Sequence, residues 1–213
     1  MGIQIMGRTG IIAEVDGNKS LYTVIKPLDV GERGSYSLAV QTGTMTAGLA
    51  AAAPIFSFRW GDSSRFALIQ RVTVNLLSMG TAFAAGAALL DMIVARSFSV
   101  SDSGGTAISV MNNKRRTSFG ASLVTDMRIA STATLTAGTR TLDSYALNAI
   151  SFGVPASAYN TILPKTNLWA PDISGEWPLV LTMNEGFIIR ATVPATGVWQ
   201  GNVSVDWIEV TSF

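Results

Sequence analysis

The stretch RWGDSSRF contains Gly61-Asp62-Ser63-Ser64, which has the look of a serine-hydrolase nucleophile block. A serine nucleophile needs a neighbouring base to take its proton, and histidine is the usual one. The chain has no histidine. The block is therefore expected to be a polar turn between two strands. Cysteine is absent too, which removes disulfides, thiol chemistry and the usual zinc sites. VDGNKS (15–20) and SDSGG (101–105) offer oxygen ligands without the acidic spacing of a calcium loop. No phosphate-binding Gly-x-x-x-x-Gly-Lys-Ser/Thr loop occurs, and no Gly-x-Gly-x-x-Gly follows a strand. No pair of carboxylates stands out for acid–base work. These residues predict neither an enzyme nor a bound cofactor or metal.

The other chemically pointed stretch is NNKRRTS (112–118), with Lys114, Arg115 and Arg116 in a row. Single-stranded nucleic acid wants a basic groove with interleaved aromatic side chains. Here only Phe119 lies nearby, and the whole chain carries a net charge of +1. No specific nucleic-acid partner is expected. Two readings stay open: a solvated basic turn, or a contact to an acidic patch on another protein subunit. Residues 59–143 hold nine cations against five acids, whereas residues 144–213 hold two against five. These regions of opposite sign favour packing between neighbouring subunits, or they meet within one fold.

Only 14% of the residues are charged, against about 25% in an ordinary soluble domain. Burial in an oligomer or assembly explains this. So does a well-buried β-domain rich in Ser, Thr and Gly.

The elements that must position these residues read as strands. They are short β-branched and aromatic runs bounded by Gly, Asn, Asp or Pro. Asp16-Gly17-Asn18 marks a hairpin turn in GIIAEVDGNKSLYTVIKP. In GSYSLAVQTG, Tyr36, Leu38 and Val40 point one way. TMTAGLAAAAP then reads as a connector, so residues 1–53 are expected to form an extended N-terminal arm. Residues 54–213 form the body. In FALIQRVTVNLLSM, Leu68, Gln70, Val72, Val74 and Leu76 share one parity. In ALLDMIVARSFSV, Leu90, Met92 and Val94 oppose Asp91, Ile93 and Ala95.

The apolar window 76–95 has the length of a membrane helix. Its Asp91, glycines and alanines make it two strands joined by a small-residue segment, and no membrane partner is expected. TMNEGFII reads as a hairpin about Asn184-Glu185-Gly186. Segment 144–177 carries Pro155, Pro164 and Pro171 and reads as an irregular loop, of the length that is functional, an interaction element or a ligand cover. About eight short strands after Pro54 predict an all-β fold, a β-sandwich or jelly roll. Trp60, Trp169, Trp177, Trp199 and Trp207 are expected to be packing residues.

Several collinear blocks then carry a resemblance. They are LYTVIKPLDVGERGSYSLAVQTGTMTAGLAAAAPIFSFRW, ARSFSVSDSGGTA, NNKRRTSFGASLVTDMRIASTATLTAGTRTLD and GEWPLVLTMNEGFIIRATVPATGVWQGNVSVDWIEV. Together they resemble a family of tailed-bacteriophage virion structural proteins, of the head cement, decoration or minor capsid type. The resemblance implies a non-enzymatic part in the virion. It implies the major capsid protein or other virion proteins as partners, and a homo-oligomer, trimer first and dimer second. The alternative is a receptor- or glycan-binding fibre or tail module. Tyr159, Asn160, Trp169 and Asp172 are its candidate residues.

Overall fold

The computed structural model describes residues 34–46, 49, 52–110, 113–157, 161–171 and 178–211. The hairpin expected at 16–18 lies outside them. Among the described residues thirteen strands run in chain order: β1 Ser35–Gln41, β2 Met45–Thr46, β3 Ala53–Trp60, β4 Phe66–Ser78, β5 Gly86–Arg96, β6 Thr106–Ala107, β7 Val124–Ile129, β8 Thr141–Leu142, β9 Asn148–Val154, β10 Thr161–Trp169, β11 Leu179–Leu181, β12 Glu185–Thr192 and β13 Val198–Val210. They form two antiparallel sheets packed as a β-sandwich. The first has the order β1-β13-β4-β10, with β2 on β13 and β11 on β4. The second has the order β6-β7-β3-β12-β5-β8, with β9 on β5.

Alternation explains the core. Phe56, Phe58 and Trp60 of β3 point inward, as do Phe187 and Ile189 of β12 and Leu90 and Met92 of β5. They meet Tyr36 of β1, Val72, Val74 and Leu76 of β4, and Val203, Val205 and Trp207 of β13. Trp207 stacks on Tyr36 at 5.4 Å and sits edge-on to Phe58 at 5.7 Å, which ties the sheets together through aromatic contact. Trp60, Trp199 and Trp207 are fully buried, as packing residues should be. Trp169 is half-buried, and Trp177 lies outside the described residues.

Four local expectations need correcting. The strand Ser35–Gln41, grouped by sequence with the arm of 1–53, pairs along its whole length with β13 and belongs to the sandwich. The parity of β4 breaks. Asp206 of β13 pairs with Arg71 and the next residue, Trp207, pairs with Ile69, so Gln70 is the extra residue of a bulge on β4. An extra residue in a strand reverses the facing of the residues on its far side. Ala67 and Ile69 therefore enter the main core, and Leu68 packs with Ile208 and Val210 in a separate cluster. The turn at Met183–Asn184 does not close a hairpin. Its arms enter different sheets, β11 on β4 and β12 on β3 and β5. Segment 144–177 contains β9 and β10. Prolines hid them from sequence, because β10 tolerates Pro164 as an edge strand with three register shifts.

The window 76–95 behaves as expected: β4 ends at Ser78 and β5 begins at Gly86. Among the described residues no helix is long and apolar enough to cross a membrane.

Candidate protein-contact site

The basic stretch lies along the open edge of the first sheet. β1 is an edge strand, and an unpaired edge exposes a row of amide and carbonyl groups. Loop 113–123 covers the start of that row. The Ser37 amide donates to the Asn113 carbonyl at 3.0 Å, and the Arg115 amide donates to the Ser35 carbonyl at 2.8 Å. Further along, the Tyr36 hydroxyl donates to the Gly120 carbonyl at 3.1 Å.

Two acids of β13 hold this loop. Asp206 faces outward, in register with Ser37 of β1 and Arg71 of β4. Its carboxylate accepts from Ser37 Oγ at 2.7 Å, from Arg71 Nε at 2.8 Å and from Arg115 Nη2 at 2.6 Å. Burial alone pushes the Asp206 carboxyl up. The bonds from Ser37, Arg71 and Arg115 outweigh burial and hold it below its usual range. Glu209 lies past the bulge and is almost fully buried. It accepts from Ser122 Oγ at 2.7 Å, from the Leu123 amide at 3.1 Å and from Trp207 Nε1 at 3.2 Å. Burial dominates here, and these bonds only partly offset it, so the Glu209 carboxyl is pushed up. Burial also raises the neighbouring Tyr36 hydroxyl to about 12.

The three cations of the stretch thus separate. Arg115 is spent on Asp206, with about half of its side chain still exposed. Lys114 Nζ donates to the Phe119 carbonyl at 2.7 Å and closes the loop on itself. Arg116 is exposed, and its side chain has no ion pair or hydrogen bond among the described residues. An acid for this stretch is present within the chain, where the contact foreseen was to another subunit. Arg71 and Arg115 meet Asp206, and Arg96 meets Glu185 at 2.6 Å. The basic middle and the acidic C-terminal region therefore meet inside one fold. Sequence did not single out Asp206. The available signal was its outward parity with Asn202 and Ser204 in NVSVDWIEV.

The second sheet carries a layer of loops on its outer face. Asp102 pairs with Arg140 and also accepts from the Gly138 amide at 2.8 Å. Arg59 donates to Ser101 Oγ, to the Ser99 carbonyl and to Asn184 Oδ1. The guanidinium groups of Arg59 and Arg140 both lie over the buried Phe98 ring, at 5.7 and 5.6 Å. Arg190 grips Asp91 with two bonds of 2.7 Å.

The other sequence candidates resolve plainly. Asp62 Oδ1 accepts from both the amide and the hydroxyl of Ser64, the bonding of a polar turn. Of the glycan candidates, Trp169 donates to the Ile69 carbonyl at 3.2 Å. Tyr159, Asn160 and Asp172 lie outside the described residues. A depression of about 220 Å³ opens elsewhere, on the outer face of the first sheet, between Thr73, Val74, Asn75, Lys165, Asn202 and Ser204. Among the described residues no cluster of acids has the makings of a metal site.

Comparison with known proteins adds no family: no family model matches the chain, and no curated protein or solved structure matches it either.

Proposed function

We propose that this chain is a structural protein of a tailed-phage virion, a cement or decoration protein that binds between major capsid subunits and stabilises the head. The collinear blocks quoted above support the family. One structural observation carries the mechanical part. Charged side chains are spent on tying loops to the outer faces of both sheets, as in Arg115–Asp206 and Arg96–Asp143, and on tying loop to loop, as in Arg140–Asp102. Such ties hold surface loops in fixed positions. Fixed loops present contacts that need little ordering on binding, which lowers the entropic cost of assembly. Many modest contacts of this kind sum by avidity across a shell.

Binding to particles that lack the chain tests this reading. Purified protein should co-sediment with such particles and raise their resistance to heat. Truncation of residues 1–33, which leaves every strand among the described residues in place, is expected to weaken that binding. A chain that neither co-sediments with particles nor stabilises them is not a cement protein.

A second reading, a glycan-binding fibre or tail module, is favoured by one feature: the depression whose lining includes Thr73, Asn75, Asn202 and Ser204. A signal on a glycan array that is lost in Asn202→Ala would support it over the first.

A further inference from the structure

Each sheet of the sandwich has two edges, and an unpaired edge is a template for another strand. Loop 113–123 covers the β1 edge through Asn113 and Arg115. The β10 edge carries Pro164 and Lys165 and shifts register three times against β4. β6 covers Arg128 and Ile129 of β7, and the Ile108 amide donates to the Met127 carbonyl at 2.9 Å. Prolines, charges, breaks in register and covering segments are the usual means of keeping an edge from pairing.

β9 lacks all of these within the strand. Its seven residues, NAISFGV, pair with β5 in unbroken register, from Val154 on Gly86 to Asn148 on Met92. Among the described residues no strand pairs with its other side, and residues 148–154 make no backbone–backbone hydrogen bond outside the β5 ladder. β10 touches this edge through a side chain: Asn148 Nδ2 donates to the Leu168 carbonyl at 2.7 Å. No charged residue occurs between Asp143 and Lys165. Asn148, Ala149, Ser151 and Gly153 are exposed, and a Cβ on Gly153 would meet open space.

The apolar surface beside this edge is incompletely covered. Tyr145 and Leu147 lead into β9 and are 87% and 40% exposed. Ile150 and Phe152 pack against the main core but are only partly buried. Exposed apolar groups of this kind mark protein contacts. A foreign strand is selected by charges or by pockets for its side chains, and β9 carries no charge to select one. Its match is to itself. The midpoint of the strand is Ser151, so full antiparallel overlap of two copies sets Ser151 opposite Ser151. Ile150 of each copy then lies opposite Phe152 of the other on the core side, a favourable pairing of β-branched with aromatic. On the outer side Ala149 lies opposite Gly153, small against small, and no like charges meet. Leu147, just before the strand, falls opposite Pro155, just after it.

We propose that two copies of this chain associate through β9 about a two-fold axis at Ser151, joining their second sheets into one continuous sheet. The contact uses the same patch on both copies, so it closes at a dimer. It also occupies the open edge of each copy, which leaves no place there for a further strand. A dimer is the second of the two oligomers that the resemblance implies. It does not depend on the virion reading, because particle binding is measured separately and stands or falls by itself.

The test is solution mass by light scattering. Wild type should show twice the chain mass of 22.5 kDa, and the mass should hold in added salt, because no ion pair carries the contact. Ser151→Lys brings two lysines face to face at the axis, and Ser151→Glu two glutamates, so each variant should be monomeric. Ser151 is exposed, and a cooperative thermal unfolding transition in each variant would show that the fold is kept. Mixing the two variants is the decisive step. The lysine of one then faces the glutamate of the other, and the dimer should return. That rescue reads the register as well as the edge. A monomeric wild type, a dimer that persists in both variants, or a mixture that stays monomeric while both variants unfold cooperatively would each overturn the proposal.

Discussion

Arg115 and Asp206 stand 91 residues apart in sequence, and the guanidinium meets the carboxylate at 2.6 Å. This pair fixes one end of loop 113–123 on the sandwich edge. Glu209, three residues further along the same strand, fixes the other. A basic stretch that looks free in sequence is therefore a strapped loop with one cation left to present.

Removing the strap should be visible without unfolding the body. Asp206→Ala deletes the acceptor of Ser37, Arg71 and Arg115. Both arginines are about half exposed, so the expected loss is modest, about 1–3 kcal/mol by chemical denaturation. Limited trypsin digestion is the sharper readout. Cleavage after Arg115 or Arg116 should accelerate in the variant at a concentration that leaves wild type intact. Equal cleavage rates would mean that Asp206 does not hold the loop.

Glu209 and Asp206 should give opposite responses to pH. The Glu209 carboxyl is raised in the fold above its ordinary 4.5, so the folded state keeps its proton where the unfolded chain has released it. Its contribution to stability is therefore greatest below 4.5 and falls as pH rises through the folded value. Asp206 is lowered below its ordinary 3.8. Its contribution is present above 3.8 and is lost as pH falls through the folded value. Unfolding free energies across the acidic range should show Glu209→Gln gaining on wild type as pH rises from 4.5. Asp206→Asn should flatten the acid limb. A constant difference between Glu209→Gln and wild type over that range would contradict the assignment.

Gly186 in β12 lies between β3 and β5, and a Cβ there would overlap the Phe58 carbonyl oxygen. The obstacle is backbone in a central strand and cannot swing away. Gly186→Ala is expected to cost about 3 kcal/mol. An unfolding midpoint equal to wild type would show that β3 and β12 separate more easily than this packing implies.

Strand alternation made much of the fold legible. Leu90 and Met92 face the main core as their parity predicts, while Ile93 and Ala95 pack in a separate cluster on the other side. What sequence hid is longer in range. Nothing in FALIQRVTVNLLSM announces that Gln70 will be left over as a bulge against Asp206 and Trp207 of β13, which switches the facing of Leu68 and Ile69. TMNEGF carries good hairpin chemistry, yet the flanking strands find better partners in β4, β3 and β5. Pro164 looks like a loop residue because proline cannot donate to a ladder, but it lies in β10, and an edge strand needs donors on one side only. The candidate loop was legible as basic. That Arg115 is spent on Asp206 and Arg116 is not could be read only from the folded chain.

The central claim is that this chain is part of a phage particle, and a cryo-EM reconstruction of the intact particle tests it most directly. The account predicts the two-sheet sandwich as repeated density between major capsid subunits of the head. A well-resolved particle with its shell fully assigned to other chains, and no copy of this sandwich on it, would contradict the account.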